Sequence, residues 1–318
     1  MKTRSLTLKS AGVWMFIALI AFSTFSSCKK NDNNVPQTPG TITDVVSANT
    51  SFSILKAAVV KAGLATTLSG TGPFTVFAPG DDAFTAAGIT MSTINTLTAD
   101  QLKSILLYHT LAAKVMAADV PAGPNAAVAT AGGDSVYVTK NSKGVFVNGV
   151  PVVKADIAAS NGVIHSIGGV LMPPPGNIVV VAQSDTSLSY LVAAVLRASQ
   201  GTTNVAQVLS GNGPYTVFAP TNNAFRAAGF ATVSAINSAD PNTLAGILTY
   251  HVVAGRVFSS DLTDGAQPAT LNGGKVTIGL TSGATVKGKS NMSASNIVMA
   301  NIVATNGVIH VIDQVLLP

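Results

Sequence analysis

The sequence GPYTVFAPTNNAF spans residues 213–225, and a near copy, GPFTVFAPGDDAF, spans residues 72–84. The same motifs accompany each copy in the same order: LSG (68–70 and 209–211), Tyr-His (108–109 and 250–251) and NGVIH (161–165 and 306–310). Between these motifs the offset drifts from 141 to 145 residues. A period of about 140 residues has the size of a domain and exceeds the roughly 20 to 50 residues of a solenoid repeat. We therefore predict two tandem domains of one plan that differ by short loop insertions.

Each copy has a helical part followed by a strand-rich part. Residues 74–78 form a short apolar run typical of a buried strand, which Pro79 ends because proline lacks the donor that a sheet ladder needs. Thr98 and Gln101 have capping-box spacing and predict a helix start. From residue 126 onward, apolar and polar residues alternate between glycine-containing turns. Helices early and strands late in each unit predict an α+β fold.

The polar pair after each FAP motif suggests paired carboxylates in the first copy, where it is Asp81-Asp82. The second copy has Asn222 and Asn223 at the same positions, and amides cannot exchange protons as a carboxylate does. Asp and Asn cap helices about equally well, so capping of the short helix that follows explains both versions. We therefore assign this pair no catalytic role.

Three ordered motifs, each present twice, resemble those of the fasciclin domain family: TVFAP followed by a polar pair and AF, the central Tyr-His pair, and NGVIH. The resemblance covers nearly everything from about residue 41 to the end, where the second copy closes with NGVIHVIDQVLLP. It implies two tandem fasciclin-like domains, each a β-sandwich wedge of two sheets with several helices. Domain 1 is then expected at residues 41–172 and domain 2 at residues 178–318, joined by a proline-rich linker at 173–177.

The resemblance also nominates a partner surface. Families of this type have been linked to adhesion through the Tyr-His region, so the resemblance implies binding roles for Tyr108, His109, Tyr250 and His251. The alternative is structural, because a tyrosine ring and an imidazole at a helix-to-strand junction can lock the turn. Packing and recognition predict the same residues, and the sequence leaves both interpretations open.

The N-terminus has the pattern of an exported lipoprotein. Residues 1–27 carry basic residues, then an apolar run at 13–22, then small residues before Cys28, as in a bacterial signal peptide. The residues before Cys28 resemble a lipobox, in which the cysteine is acylated and becomes the first residue. The alternative is ordinary cleavage that leaves a free cysteine. Residues 28–40 are polar and proline-containing, which predicts a disordered tether to the membrane, at the outer membrane or cell surface.

The charge pattern gives no support to nucleic-acid binding. The chain has 18 Lys and Arg against 13 acidic residues, all Asp, and three of the basic residues lie in the signal peptide. The mature chain therefore carries 15 basic residues, a net charge of +2. Binding to nucleic acid needs clustered Lys and Arg that displace counterions.

The four histidines fall at matched positions, with His109 paired to His251 and His165 paired to His310. His165 and His310 lie on predicted strands with apolar residues on the same face, which favours a buried hydrogen-bonding role. A zinc site needs three or four converging ligands, and each unit offers two histidines, no Glu and no cysteine within a folded domain. We expect no metal and no cofactor.

These observations favour a non-catalytic cell-surface lipoprotein that binds a surface protein, matrix material or a glycan. One alternative is a surface or periplasmic enzyme acting on polysaccharide, which would present two carboxylates at catalytic separation. Another is a purely structural spacer. An exposed aromatic or apolar patch near Tyr108 or Tyr250 would favour binding over spacing.

Overall fold

The computed structural model describes residues 39–318, so the predicted signal peptide, Cys28 and nearly all of the tether lie outside the described residues. Both copies follow one order: three helices, one strand, three helices and then the remaining strands. In the first copy these are α1 (Ile42–Ala48), α2 (Ser53–Lys61), α3 (Ala65–Ser69), β1 (Phe74–Pro79), α4 (Asp81–Ala86), α5 (Met91–Thr96), α6 (Ala99–Tyr108), β2 (Thr110–Leu111), β3 (Gly123–Ala129), β4 (Ser135–Asn141), β5 (Gly144–Val147), β6 (Val150–Ala159) and β7 (Gly162–Ile167). In the second they are α7 (Ile178–Ser184), α8 (Ser189–Ala198), α9 (Val205–Ser210), β8 (Tyr215–Pro220), α10 (Asn222–Ala227), α11 (Val233–Ser238), α12 (Pro241–Tyr250), β9 (Val252–Ala254), β10 (Thr277–Gly279), β11 (Thr285–Lys287), β12 (Ser295–Ala304) and β13 (Gly307–Ile312).

The strands of each copy form one hydrogen-bonded sheet. Its order is β2-β1-β7-β6-β5-β4-β3 in the first copy and β10-β11-β12-β13-β8-β9 in the second. The central pairs β1–β7 and β8–β13 are parallel, and in register Phe77 lies opposite His165 while Phe218 lies opposite His310. Helices and a mixed sheet in each of two tandem copies confirm the predicted α+β fold.

Bulges in β6 and β12 curl each sheet. The ladder to the neighbouring strand shifts register within β6 and within β12. The bulges hold Asp156 at φ 58° and Asn301 at φ 66°, a left-handed conformation that Asp and Asn adopt more readily than most residues. Because a bulge bends its strand and increases the local twist, the two halves of the sheet enclose an apolar core that includes Phe77 and Val138. These halves correspond to the two sheets of the expected wedge.

Helix capping agrees with the sequence at one predicted position and differs at another. Thr98 and Gln101 form the predicted capping box at the start of α6. The polar pair does not cap α4, which begins after Gly80 with no side-chain cap. Instead, Asp81 caps the neighbouring helix α2, accepting hydrogen bonds from the Ser53 and Ile54 amides at 3.2 and 2.9 Å. The predicted capping of α4 is therefore wrong: Asp81 alone acts as a cap, and the helix that it caps is distant in sequence.

A second core lies between the helices and the outer face of the parallel strands. In domain 2 it includes Leu191 and Val195 of α8, packed with Val217 of β8 and Ile309 of β13. The central strands are thus buried on both faces, as is usual for parallel strands. Among residues 39–318, no single helix has the length and apolar character needed to cross a membrane; one consecutive helical pair, 178–184 with 186–198, has both but bends by 104°.

The two copies differ at the edge of the curled sheet. In domain 1, β3 pairs with β4 as the outermost strand. In the described part of domain 2 the matching segment forms only scattered contacts, such as the bridge of Ala269 with Lys275 and the Val276 amide bond to the Pro268 carbonyl. Pro268 has no amide hydrogen to give to a ladder, so a regular strand cannot run through it.

Candidate functional site

The Tyr108-His109 pair lies at the junction of α6 with β2, where both side chains are buried, at 1% and 2% exposure. The Tyr108 hydroxyl donates to the Ser135 carbonyl at 3.1 Å and accepts from Asn148 Nδ2 at 2.9 Å. Burial raises the pKa of Tyr108 to about 12. The tyrosine thus ties the end of α6 to β4 and to the β5–β6 turn.

Tyr250 makes the same connection in domain 2 with different partners. Its side chain is 1% exposed, and its hydroxyl donates to the Lys275 carbonyl at 2.5 Å. The hydroxyl accepts from the Lys289 amide at 2.8 Å. A backbone amide therefore replaces the Asn148 side chain as donor, and the tyrosine role is the same in both copies.

His109 and His251 close the other side of the junction. Each Nδ1 donates to a carbonyl one helical turn earlier, Ile105 or Ile247, at 2.8 Å. Each Nε2 accepts from a backbone amide, that of Leu171 at 3.0 Å or of Leu316 at 2.8 Å. Because an amide can only donate, this arrangement requires the neutral Nδ1–H tautomer. Burial lowers the pKa of both histidines to about 4.

The structure therefore places the four nominated residues inside the fold. Their polar atoms all have intramolecular partners, and each residue exposes at most 2% of its surface to a protein or glycan. This geometry favours the structural interpretation of the Tyr-His pair. A binding role for Tyr108, His109, Tyr250 and His251 stays a prediction, and it would have to act through the backbone segments that they hold. Some large exposed apolar side chains lie far from these residues, such as Val153, which is 68% exposed, but Met172 and Leu317 directly follow the two residues whose amides bond to His109 and His251.

His165 and His310 are buried hydrogen-bonding residues, as the sequence predicted. Each ring stacks on the phenylalanine opposite it, Phe77 at 5.9 Å or Phe218 at 5.8 Å between centroids. His165 Nε2 donates to the Val115 carbonyl at 2.8 Å, and its Nδ1 accepts from the Asp156 amide at 3.2 Å.

The second copy repeats this arrangement with its own loop and bulge. His310 bonds to the Val257 carbonyl at 2.9 Å and to the Asn301 amide at 3.3 Å. Burial lowers the pKa of His310. Both histidines fasten the loop after the short edge strand to the bulge. Within residues 39–318, no group of three or more His, Cys, Asp or Glu is placed to hold a metal ion.

Arg256 is a buried cation that the sequence did not single out. It is 8% exposed, and its guanidinium donates to the carbonyls of Ala304 at 3.0 Å, Thr305 at 3.1 Å and Gly307. Its carbon lies 4.0 Å from the centre of the Tyr137 ring, which belongs to domain 1. Burial lowers the pKa of Arg256 without removing its charge at neutral pH. A domain 2 cation is therefore bound by carbonyls of its own domain and by an aromatic ring of the other.

Further contacts join the same two surfaces within the compact unit that holds both domains. Asn125 Nδ2 donates to the Arg256 carbonyl at 2.5 Å, and Asn141 Nδ2 donates to the Ser260 carbonyl at 3.1 Å. Phe258 packs near Tyr137, with ring centroids 6.1 Å apart. We call the segment 256–261 the domain 2 corner. Sequence analysis could not find this interface because its partners come from different copies, so no spacing within one copy reveals it.

Comparisons with known proteins agree with the internal repeat. The fasciclin domain model matches residues 50–173 and 190–318. Protein sll1483 of a Synechocystis strain is 46% identical over 136 residues, covering 42% of this chain and 74% of that protein. Transforming growth factor-beta-induced protein ig-h3 of Sus scrofa is 29% identical over 256 residues, and human periostin is 28% identical over 269 residues. The ig-h3 and periostin matches each cover 79% of this chain, and the matched region spans 35% of ig-h3 and 29% of periostin.

One solved structure is also similar, a FAS1 domain pair from the insect cell adhesion molecule Fasciclin I. The match covers 87% of this chain and 96% of that chain, at 18% identity and a TM-score of 0.41.

Proposed function

The chain belongs to the fasciclin domain family, and from this premise we propose that it is a non-catalytic cell-surface lipoprotein that binds a protein, matrix or glycan partner. Fasciclin domains occur in cell-adhesion proteins such as ig-h3 and periostin, and the family's relatives include secreted or extracellular proteins.

The observation that carries the non-catalytic part is the use of the histidines. Histidine is the commonest general acid–base in enzymes, and it needs a nitrogen free to exchange a proton with substrate. In this chain both ring nitrogens of all four histidines are hydrogen-bonded to backbone groups inside the fold. This arrangement favours a scaffold that binds through its surface rather than an active site that transfers protons.

We propose that the chain is exported and held at the membrane, at the outer membrane or cell surface, by a lipid on Cys28. The basic and apolar pattern of residues 1–27 supports this part of the proposal. Acyl chains stabilise membrane attachment by about 0.8 kcal/mol per buried methylene, so two or more chains give a firm anchor.

Cell fractionation tests the anchor. The natural chain is expected in the membrane fraction, and the Cys28→Ser variant in the soluble exported fraction, with no change in the melting temperature of the purified domains. A Ser27→Ala variant is the matched control and should stay with the membrane. Membrane association that persists in Cys28→Ser would contradict lipid attachment at this residue.

An array of glycans and extracellular matrix proteins tests binding by the exported chain without its lipid. We expect saturable binding to at least one class of ligand, with the glycans left intact. Release of new reducing ends from a polysaccharide would instead support the enzyme alternative. A folded chain that binds nothing on the array, and that keeps a fixed distance between its two ends, would support the spacer alternative.

The same array tests the Tyr-His nomination. Tyr108→Phe and Tyr250→Phe each remove one buried hydroxyl while they keep the ring. If these tyrosines act through the backbone that they hold, binding should weaken in proportion to the loss of thermal stability. Weaker binding at unchanged stability would show a direct role and would reverse the structural interpretation.

A further inference from the structure

Domain 1 encloses an apolar cavity of ≈ 210 Å³ inside the curl of its sheet. Phe77 of β1 and Leu111 of β2 form one wall, and Val138 of β4 forms another. The loop after β2 covers the cavity with Val115 and Val120.

Domain 2 has a cavity of ≈ 350 Å³ at the same place. Five apolar residues that line it occupy positions that line the first cavity in the repeat: Phe218, Val253, Val257, Leu262 and Ile278; the polar residues Thr216, Thr263 and Gln267 also line it. Each domain also places one carboxylate at the edge of the cavity, Asp119 in domain 1 and Asp261 in domain 2. The two cavities are therefore one feature of the shared plan.

The size and repetition of the cavities call for a physical reason. Protein interiors are close-packed, and voids larger than a water molecule are few in a domain. Between the copies the lining residues have changed, with Leu111 replaced by Val253 and Val138 replaced by Ile278. A larger side chain at any of these positions would fill space and add contacts, yet both copies keep the opening.

We propose that each cavity binds a small uncharged molecule with an apolar body of about eight carbons. An apolar cavity of about 150 Å³ holds benzene, which has six carbons, so ≈ 210 Å³ suits a molecule slightly larger. The lining holds no Lys or Arg to neutralise an acid, His165 uses both ring nitrogens in hydrogen bonds to the backbone, and Asp119 and Asp261 repel an anionic head group. A hydroxyl group at the edge of the cavity can donate a hydrogen bond to the carboxylate.

Octan-1-ol and octanoate, added to the full folded chain, test the proposal with the same eight carbons and different head groups. We expect octan-1-ol to shift the methyl NMR signals of Leu111 in domain 1 and of Val253 in domain 2, each saturably. Octanoate should bind at least tenfold more weakly. No saturable shift up to the solubility limit of octan-1-ol would overturn the proposal, and equal binding of octanoate would overturn the uncharged ligand class.

Paired substitutions in one strand locate the site. Val138→Phe places a ring in the domain 1 cavity, whereas Val136→Phe, two residues earlier on β4, places it where the core is fully packed. We expect Val138→Phe to keep or raise the melting temperature and to weaken octan-1-ol binding at Leu111 at least tenfold, with binding at Val253 unchanged. Val136→Phe should lower the melting temperature by roughly 3–10 °C.

Domain 2 supplies an independent repeat of this test, with Ile278→Phe against Val276→Phe. The cavity variant should lose binding at Val253 alone. Equal destabilisation by both members of a pair, or failure of only the cavity variant to fold, would show that no open cavity exists there and would overturn the proposal for that domain.

Discussion

The domain 2 corner and its counterpart in domain 1 start from the same position of the repeat and end in different environments. Arg256 opens the domain 2 corner, buried among three carbonyls and the Tyr137 ring. Lys114 occupies the matching position in domain 1, and its side chain is exposed. Duplication has thus preserved a basic residue at both corners, but only one corner takes part in the domain interface.

The chemistry of the two cations explains why they are not equivalent. A guanidinium is planar, carries five donors and stacks on aromatic rings, so it can bind several carbonyls while it covers a tyrosine. A lysine ammonium is a compact, strongly hydrated charge that is costly to bury. Domain 2 has Thr277 at the position of Tyr137 in domain 1, so its strand presents no aromatic ring that an arginine could cover. The interface is therefore specific to this pair of domains and does not repeat along the chain.

The largest expected effect tests what the two copies share. A Cβ at Gly213 would lie 2.2 Å from the Asn306 carbonyl oxygen, and the residue has a φ of 57°. Gly213→Val should therefore unfold domain 2, at about 4 kcal/mol or more, as measured by calorimetry. Gly72→Val should do the same to domain 1, where the matching Cβ would lie 2.0 Å from the Asn161 oxygen.

Gly229→Ala is the control for backbone strain alone. Gly229 has a φ of 97° but no heavy atom within 4 Å of the added Cβ, so only about 1–3 kcal/mol is expected. A Gly213 variant no less stable than this control would show that the close approach of the two segments is not essential.

Much of the scaffold could be predicted because both copies record it. The repeated motifs gave the domain count, and Thr98 with Gln101 marked a helix start, since a capping box is read from neighbours in sequence. Asp81 shows where such reasoning stops: it caps α2, some 28 residues away, so its spacing to α4 was misleading. Arg256 was missed for the same reason, because the ring that it covers belongs to the other domain.

Acid is the next largest perturbation, and the matched residues His109 and His251 should contribute to it in the same way. Burial lowers the pKa of His109 and of His251 from 6.5 to about 4, so between these values the folded chain binds fewer protons than the unfolded chain. The stability that each neutral histidine contributes is fully present above pH 6.5 and is lost as the pH falls through about 4. The loss is about 3 kcal/mol for each histidine.

Urea unfolding between pH 7 and pH 4 measures this loss. His251→Gln should make domain 2 less stable at pH 7 and should reduce its dependence on pH, with His310 still contributing, while domain 1 keeps the natural slope. An unchanged slope of domain 2 in that variant would show that another group controls acid unfolding.

Arg256→Ala should have a smaller effect on stability, and the matching substitution in domain 1 should have almost none. The substitution leaves the carbonyls of Ala304 and Thr305 without their donor and removes the cation from the Tyr137 ring. We expect a loss of about 2–3 kcal/mol in urea unfolding. Lys114→Ala, the matched control in domain 1, should change stability by less than about 0.5 kcal/mol because its side chain is exposed. Equal effects of the two variants would mean that burial of the arginine does not distinguish the corners.

The smallest expected effect comes from a substitution on the domain 1 side of the interface, at the tyrosine ring that Arg256 covers. Tyr137→Thr introduces the residue found at position 277, removing the ring from Arg256 and from Phe258 while keeping a β-branched strand residue. A cation–π contact at a desolvated site contributes about 1–2 kcal/mol, so the loss should be of that order. Calorimetry should show the two domains melting further apart, because the ring couples them. The double variant with Arg256→Ala should lose less stability than the sum of the two single losses, since both substitutions remove the same contact.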